Sequence, residues 1–274
     1  MREKAYTYSF AYIYDDIMSA VPYDLWYEYL KELITYYSRD PQNLLDLACG
    51  TGNMTIRFAR EKNLNCDGLD LSSDMLEIAR KKADDNLVKV NFIKEDLRSF
   101  QIEKKYDMAF SLFDSLNYIL SYQELKKVFN NVYNALNNDG FFIFDMNTIN
   151  RLMSIEPGTS VFNGEGYTCF WEDVIDEETR RWQVNLKIYF DKDGVSPNEE
   201  FHQEAAYPRG KVISGLRKSG FNNVDVYKAY TFENGDDSDN RLYYIAFKDN
   251  INKNNSFTKN IGQKFKWRVK KIFV

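Results

Sequence analysis

One stretch constrains this chain more than any other: an apolar run that ends in two closely spaced glycines, Leu44-Leu45-Asp46-Leu47-Ala48-Cys49-Gly50-Thr51-Gly52. Glycine turns tightly and lets the backbone approach a ligand with no Cβ in the way. A helical stretch follows, from about Asn53 to Lys62, so the order is strand, turn, helix. That is the opening unit of an open α/β sheet, whose ligands bind at the carboxyl ends of the strands.

The rhythm then repeats. Cys66 to Leu71, Val88 to Ile93, Tyr106 to Leu112 and Phe141 to Met146 are short apolar runs and read as strands. Asp74 followed by Glu77 reads as a helix start with its capping partner, and Met75, Ile78, Ala79 and Ala83 form the helix face. Between Gln123 and Leu136 the apolar residues Leu125, Val128, Phe129, Val132, Tyr133 and Leu136 keep unbroken helical spacing. After a helix from Lys211 to Ser219, closed by Gly220, Val224 to Phe232 and Arg241 to Phe247 supply two more strands. Strands apolar on both sides, alternating with helices, predict a doubly wound, mostly parallel seven-stranded sheet with helices on both faces.

Two segments break the pattern. Ahead of the first strand, Trp26, Leu30, Leu33, Ile34 and Tyr37 mark an amphipathic helix. Later, Trp182, Val184, Leu186, Ile188 and Phe190 alternate strictly with polar residues, a period of two that belongs to a strand buried on one face. With Thr168 to Ile175 before it and Glu200 to Tyr207 after it, this predicts a small antiparallel insertion. The expected organisation is a helical N-terminal cap over 1–42, an α/β domain over 43–150 and 208–249, an acceptor lid over 151–207 and a basic tail over 250–274.

Composition narrows the class. Of 274 residues 44% are hydrophobic and 28% charged, the balance of a globular protein. No run of 18 apolar residues occurs and residues 1–10 are too polar for a signal peptide, so a cytoplasmic protein is expected. Cys49, Cys66 and Cys169 fit neither a disulfide framework nor a metal clip and are expected as free thiols. From Lys253 to Val274 there are seven basic residues and no acidic one, which, against a total of −5, leaves −12 on the rest. So acidic a body repels phosphate backbones and argues against nucleic acid as a partner. The tail has the pattern of a basic amphipathic helix, a candidate for membrane-surface contact or for docking on the acidic body.

Asp70 lies 20 residues after Gly50, at the end of the next strand, where a carboxylate can accept from both hydroxyls of a ribose. A nicotinamide site shares that spacing but would place glycine or alanine where Thr55 stands. Asp46, inside the strand, would oppose a pyrophosphate and suit a cationic amine or sulfonium.

Taken together, Asp46-Leu-Ala-Cys-Gly-Thr-Gly52, Leu69-Asp70-Leu-Ser72, Glu95-Asp96-Leu97 and Phe113-Asp114-Ser115-Leu116-Asn117-Tyr118 resemble the class I S-adenosylmethionine-dependent methyltransferases. The likeness runs from roughly Tyr8 to Lys248, and Phe10 to Asp15 with Tyr23 to Trp26 resembles a subgroup whose N-terminal helical segment closes over the cofactor. By that resemblance S-adenosyl-L-methionine is the cofactor. Its expected contacts after the first strand are Asp46, Ala48, Gly50 and Gly52. After the second they are Asp70, Leu71 and Met75, and after the third Asp96 and Leu97, which would bracket the adenine. Leu112 and Asp114 follow the fourth strand, and Tyr14 and Trp26 come from the N-terminal segment.

Methyl transfer needs chiefly an oriented lone pair and exclusion of water. The expected acceptor is an N or O atom of a small molecule, with protein or tRNA as the alternative. An oxidoreductase and a non-catalytic cofactor-binding module are the rival classes. Asn117 and Tyr118 are catalytic candidates beside the reactive methyl, and so is His202, the sole histidine, which shares a strand face with Glu200 and Glu204. The plain alternative for His202 is a solvated position on an edge strand. Asp114, Asp145 and Asn147 are the one set with metal-ligand chemistry at strand ends, and no metal is expected there. Oligomeric state is open between monomer and homodimer.

Overall fold

The computed structural model describes residues 5–192 and 196–249; the basic tail lies outside them. In chain order the elements are α1 (Tyr8–Ile17), α2 (Tyr23–Tyr36), β1 (Asn43–Leu47), α3 (Asn53–Ala59), β2 (Asn65–Asp70), α4 (Ser73–Asp85), β3 (Phe92–Lys94) and β4 (Tyr106–Ser111). A 3-10 turn (Ser115–Tyr118) precedes α5 (Tyr122–Ala135), β5 (Leu136–Asn147) and α6 (Ile149–Met153). The insertion comprises β6 (Gly158–Gly164), β7 (Tyr167–Asp176), β8 (Arg181–Phe190) and β9 (Asn198–Ala205), and the chain returns through α7 (Arg209–Lys218), β10 (Asn223–Lys228) and β11 (Arg241–Phe247).

The main sheet has the order β10-β11-β5-β4-β1-β2-β3. Strands β1 to β5 run parallel, and β11 pairs antiparallel with both β5 and β10. Because β2 and β3 lie on one side of β1 while β4 and β5 lie on the other, the connections diverge between β1 and β4. That opens a crevice at their carboxyl ends.

Both faces of the sheet are buried, with period two. On one face Leu45 and Leu47 of β1, Phe142 and Phe144 of β5 and Tyr244 of β11 pack against Leu125, Val128 and Phe129 of α5 and Val212 and Leu216 of α7. On the other, Leu44, Ile143 and Tyr243 meet Trp26, Tyr29, Leu30 and Leu33 of α2 and Phe58 of α3. Emptying any one of the large fully buried rings, such as Phe129 or Phe144, would cost about 3–5 kcal/mol.

The N-terminal segment, expected as a single helical cap, divides. Helix α2 is a layer of the core, whereas α1 lies against the inner face of the insertion, where Phe10 and Ile13 pack with Tyr167, Cys169, Val184, Leu186 and Ile188. The insertion is a four-stranded antiparallel sheet, β6-β7-β8-β9, one strand more than the alternation predicts. The helix start expected at Asp74 lies two residues earlier, at Ser72, whose side chain accepts from the Met75 amide at 3.2 Å, with Asp74 in the first turn. Strand β3 begins at Phe92 rather than Val88. The three cysteines are buried free thiols. Among the described residues no helix is long and apolar enough to cross a membrane.

Candidate functional site

At the carboxyl ends of β1, β2, β3 and β4 lies a cavity of about 630 Å³. Its floor is the turn after β1, in which Ala48, Gly50 and Gly52 take left-handed backbone angles of φ 56°, 54° and 78°. The two glycines do different work. A Cβ on Gly50 would meet nothing within 4 Å, so its bare face opens on the cavity it lines, whereas a Cβ on Gly52 would crowd Ala79 and the Phe92 ring at 3.2 and 3.3 Å. Gly50 thus leaves room for a ligand, and Gly52 lets α3 pack against α4 and β3.

Asp70, at the end of β2, accepts from the Gly50 amide and from the Ser72 amide, each at 2.8 Å. Each carboxylate oxygen spends one lone pair on the turn and keeps another for a ligand. Burial pushes its pKa up, against the pull of those amides. Asp46 is also buried and lines the cavity. It accepts from Thr55 Oγ1 at 2.6 Å, and desolvation raises its pKa to about 8, with Asp70's charge adding to the rise. The arginine of Asp96-Leu97-Arg98 folds back on Asp96, which lowers that carboxyl's pKa.

The opposite wall is aromatic. Tyr6, Tyr14, Tyr23 and Trp26 come from the N-terminal segment, and Phe113 and Tyr118 from the loop after β4. The Trp26 ring N–H is buried without a hydrogen-bond partner, a donor available to a bound molecule, while the Tyr23 hydroxyl has Asn53 and Tyr14 beside it. Helix α1 is pinned at both ends. At its start Glu200 of β9 accepts from the Thr7 and Phe10 amides at 3.0 and 3.3 Å. Towards its end Asp15 accepts from Thr51 Oγ1 at 2.8 Å and from Lys82 Nζ at 2.8 Å, which ties the helix to the glycine turn.

Most of the expected cofactor contacts gather here: Tyr14 and Trp26 in the wall, Asp46, Ala48 and Gly50 in the floor, then Asp70, Leu71, Met75, Asp96, Leu97 and Leu112. Gly52 and Asp114 do not line the cavity. Asp114, at φ 51° after Phe113 at φ 64°, is turned into a buried polar cluster. There Arg241 donates to Asp114 at 2.8 Å and to Asp145 at 2.7 Å, and Asn147 donates to Asp114 at 2.7 Å. The Arg241 guanidinium therefore offsets part of the negative charge of these carboxylates and braces the two left-handed residues. Asn117 is buried and fully used: its amide donates to the carbonyls of Asn147 and Ala205 at 3.0 Å and accepts from the Asn147 amide at 3.0 Å.

His202 does share a face with Glu200 and Glu204, but that face is buried, not solvated. The histidine stands behind the wall, its ring edge-on to Tyr6 and Phe10 and its Nδ1 3.3 Å from the Tyr118 hydroxyl. Tyr6, Asn53 and Arg98 line the cavity without any sequence signal of their own; Tyr23 stood within the Tyr23 to Trp26 likeness and Phe113 within the Phe113 to Tyr118 likeness.

The donor set suits S-adenosylmethionine. Asp70 offers spare lone pairs to ribose hydroxyls, the glycine turn leaves space beside the backbone, and among the described residues acidic side chains outnumber the single lining arginine, as a cationic sulfonium and amine require. Comparison with known proteins agrees. The family profile described as a methyltransferase domain matches residues 44–140. The carboxy-S-adenosyl-L-methionine synthase of Nautilia profundicola is 31% identical over 87% of this chain and 92% of its own. The crystal structure of an S-adenosylmethionine-dependent methyltransferase from Clostridium acetobutylicum is 27% identical, with a TM-score of 0.74 over 87% of this chain and 97% of that one. The sugar N-methyltransferase KedS8 from Streptoalloteichus shares the fold at 16% identity, with a TM-score of 0.68 over 91% of this chain and 95% of its own. The chain belongs to the class I S-adenosylmethionine-dependent methyltransferases and binds S-adenosylmethionine.

Proposed function

We propose that the protein transfers the methyl group of S-adenosylmethionine to a nitrogen or oxygen atom of a small molecule. The observation that carries this reading is that the glycine turn and the aromatic wall line one cavity of about 630 Å³, within the usual size of small-molecule pockets. A tRNA or protein acceptor would need an open approach lined with free cations or extended backbone contacts. Among the described residues the one lining cation, Arg98, is already held by Asp96 and lies 3.7 Å from Glu124. A sugar N-methyltransferase on the same fold supports a small acceptor.

Bound S-adenosylmethionine supplies an activated methyl electrophile. The protein's own residues do the rest. Asp70 would hold the ribose, and Asp96 with Leu97 would border the adenine. Asp46 would face positive charge, while Tyr14, Trp26 and Phe113 would exclude water. Gly52, Asp114 and Asn117 act one layer back, as the packing and hydrogen bonds that fix the turn and the loop after β4.

Methyl-labelled S-adenosylmethionine incubated with the enzyme and cell extract, then separated into small-molecule, protein and RNA fractions, tests the proposal. Label should appear among the small molecules. Label confined to protein or RNA overturns it.

A further inference from the structure

The aromatic wall contains one chain of polar atoms that runs out of the cavity into the insertion. Tyr118 lines the cavity, and its hydroxyl accepts from the Tyr6 hydroxyl at 2.8 Å. That leaves the Tyr118 proton free to be donated elsewhere, and His202 Nδ1 lies 3.3 Å away. On the far side of the ring, His202 Nε2 lies 3.3 Å from Glu200 Oε2. Both of those atoms are buried and neither makes a hydrogen bond, so the imidazole and the carboxylate are close without being aligned. The other oxygen of Glu200 is fixed by the start of α1. Phenol, imidazole and carboxylate thus stand in series, with the rings of Tyr6 and Phe10 shielding the imidazole from water.

Resting on the methyl-transfer reading, we infer that Tyr118 is the group that takes the acceptor's proton and that His202, oriented by Glu200, receives the Tyr118 proton in turn. The roles parallel a nucleophile, histidine and carboxylate triad: the nearby carboxylate favours a proton on Nε2, with which it need only realign slightly to bond, and that tautomer leaves Nδ1 as the base. As the acceptor's lone pair bonds to the methyl carbon, the electron pair of the broken carbon–sulfur bond goes to sulfur. The acceptor's N–H or O–H proton passes to Tyr118 Oη while the Tyr118 proton passes to Nδ1. The imidazolium so formed faces Glu200, and its proton returns through Tyr118 to water once product has left. Burial holds the Tyr118 hydroxyl far above its ordinary titration range, so it passes a proton on rather than standing as a phenolate. Tyr118 is the catalytic residue of this relay and His202 a positioning residue.

Because the chain has one histidine, its imidazole nitrogens give single, unambiguous nuclear magnetic resonance signals. The full chain, labelled with nitrogen-15 and saturated with S-adenosylhomocysteine, should show the proton on Nε2. Tyr118→Phe should shift the Nδ1 resonance towards that of a nitrogen with no donor. A proton found on Nδ1, or an Nδ1 signal that Tyr118→Phe does not move, overturns the relay. The tautomer of the unmutated protein decides the matter even where a variant folds poorly. Failure to bind S-adenosylhomocysteine at all would instead overturn the methyl-transfer reading, so the two failures are distinct.

Discussion

The two sides of the cavity are built differently. The floor is backbone: the turn after β1, the end of β2 and the carboxylate that joins them through two amide hydrogen bonds. The wall is side chain, assembled from a helix, a loop and an inserted sheet that lie far apart in sequence and are tied by Glu200, Asp15 and Lys82. A floor of backbone depends little on side-chain identity, because a sequence that makes the turn makes most of the site. A wall of side chains can change without disturbing that turn, so on the proposed reading the wall is where acceptor choice would reside.

The sharpest way to break this division is at Asp70. Asp70→Ala leaves the Gly50 and Ser72 amides without their partner and removes the ribose acceptor, so S-adenosylmethionine affinity should fall more than tenfold, above about 1.4 kcal/mol. Calorimetry checks it, and unchanged affinity would show that the floor is not where the cofactor is held.

The wall answers to Glu200. Glu200→Ala strips the start of α1 of its acceptor, at a cost of about 1–3 kcal/mol. Hydrogen exchange at the Thr7 to Phe10 amides should speed up severalfold, while the β1 amides from Leu44 to Leu47 stay within twofold. Equal acceleration in both places would mean that floor and wall open as one unit.

Asp15→Asn should do less. The Asp15–Lys82 pair is partly exposed, so its loss is worth about 0.5–1 kcal/mol. Cofactor affinity should weaken two- to fivefold, with the unfolding midpoint nearly unchanged. A tenfold loss would move Asp15 from the wall to the floor.

A titration within the floor itself gives a further test. Folding raises the pKa of Asp46 from 3.8 to about 8, so between those values the native state binds a proton that the unfolded chain has released. Native stability therefore falls as pH rises through that window and levels off above it. Asp46→Asn lacks this slope, and its stability relative to wild type should improve from the lower end of the window to the upper in denaturant titrations. A cationic ligand favours the carboxylate, so S-adenosylmethionine should release a fraction of a proton on binding near neutrality, and more than S-adenosylhomocysteine does. Calorimetry in buffers of different ionisation enthalpy measures the difference, and equal release would place the sulfonium away from Asp46.

The same division governs what the sequence makes legible. The floor follows from local pattern: apolar runs, glycines at 50 and 52, and the spacing to Asp70 all act within a few residues of the structure they specify. Spacing says which strand end carries a residue but not which way its side chain turns. Asp114 and Asn117, expected beside the methyl group, are drawn instead into the cluster around Arg241 and Asn147, 30 or more residues away. Helix α1 is visible only through its family likeness, and β6 is hidden because Gly-Thr-Ser-Val-Phe-Asn-Gly offers no apolar alternation to read. Ser72 is passed over because Ser72-Ser73-Asp74 presents three capping residues in a row. For His202 the shared face with two glutamates is legible, but burial is not. Whether such a face meets water or protein depends on α1, which reaches it from the other end of the chain.

Helix α1 has a mechanical consequence. It is 10 residues long, which amounts to about 15 Å, and it is fastened to the insertion at its first amides and to the glycine turn near its last turn. It is therefore a strut, and its length sets the distance between the sheet that bears Glu200 and the turn that bears Gly50. Adding or deleting a single helical residue would rotate one fastening by about 100° relative to the other and sever it. The clearance left for an acceptor is thus a matter of dimension as much as of chemistry, gauged by one short rod.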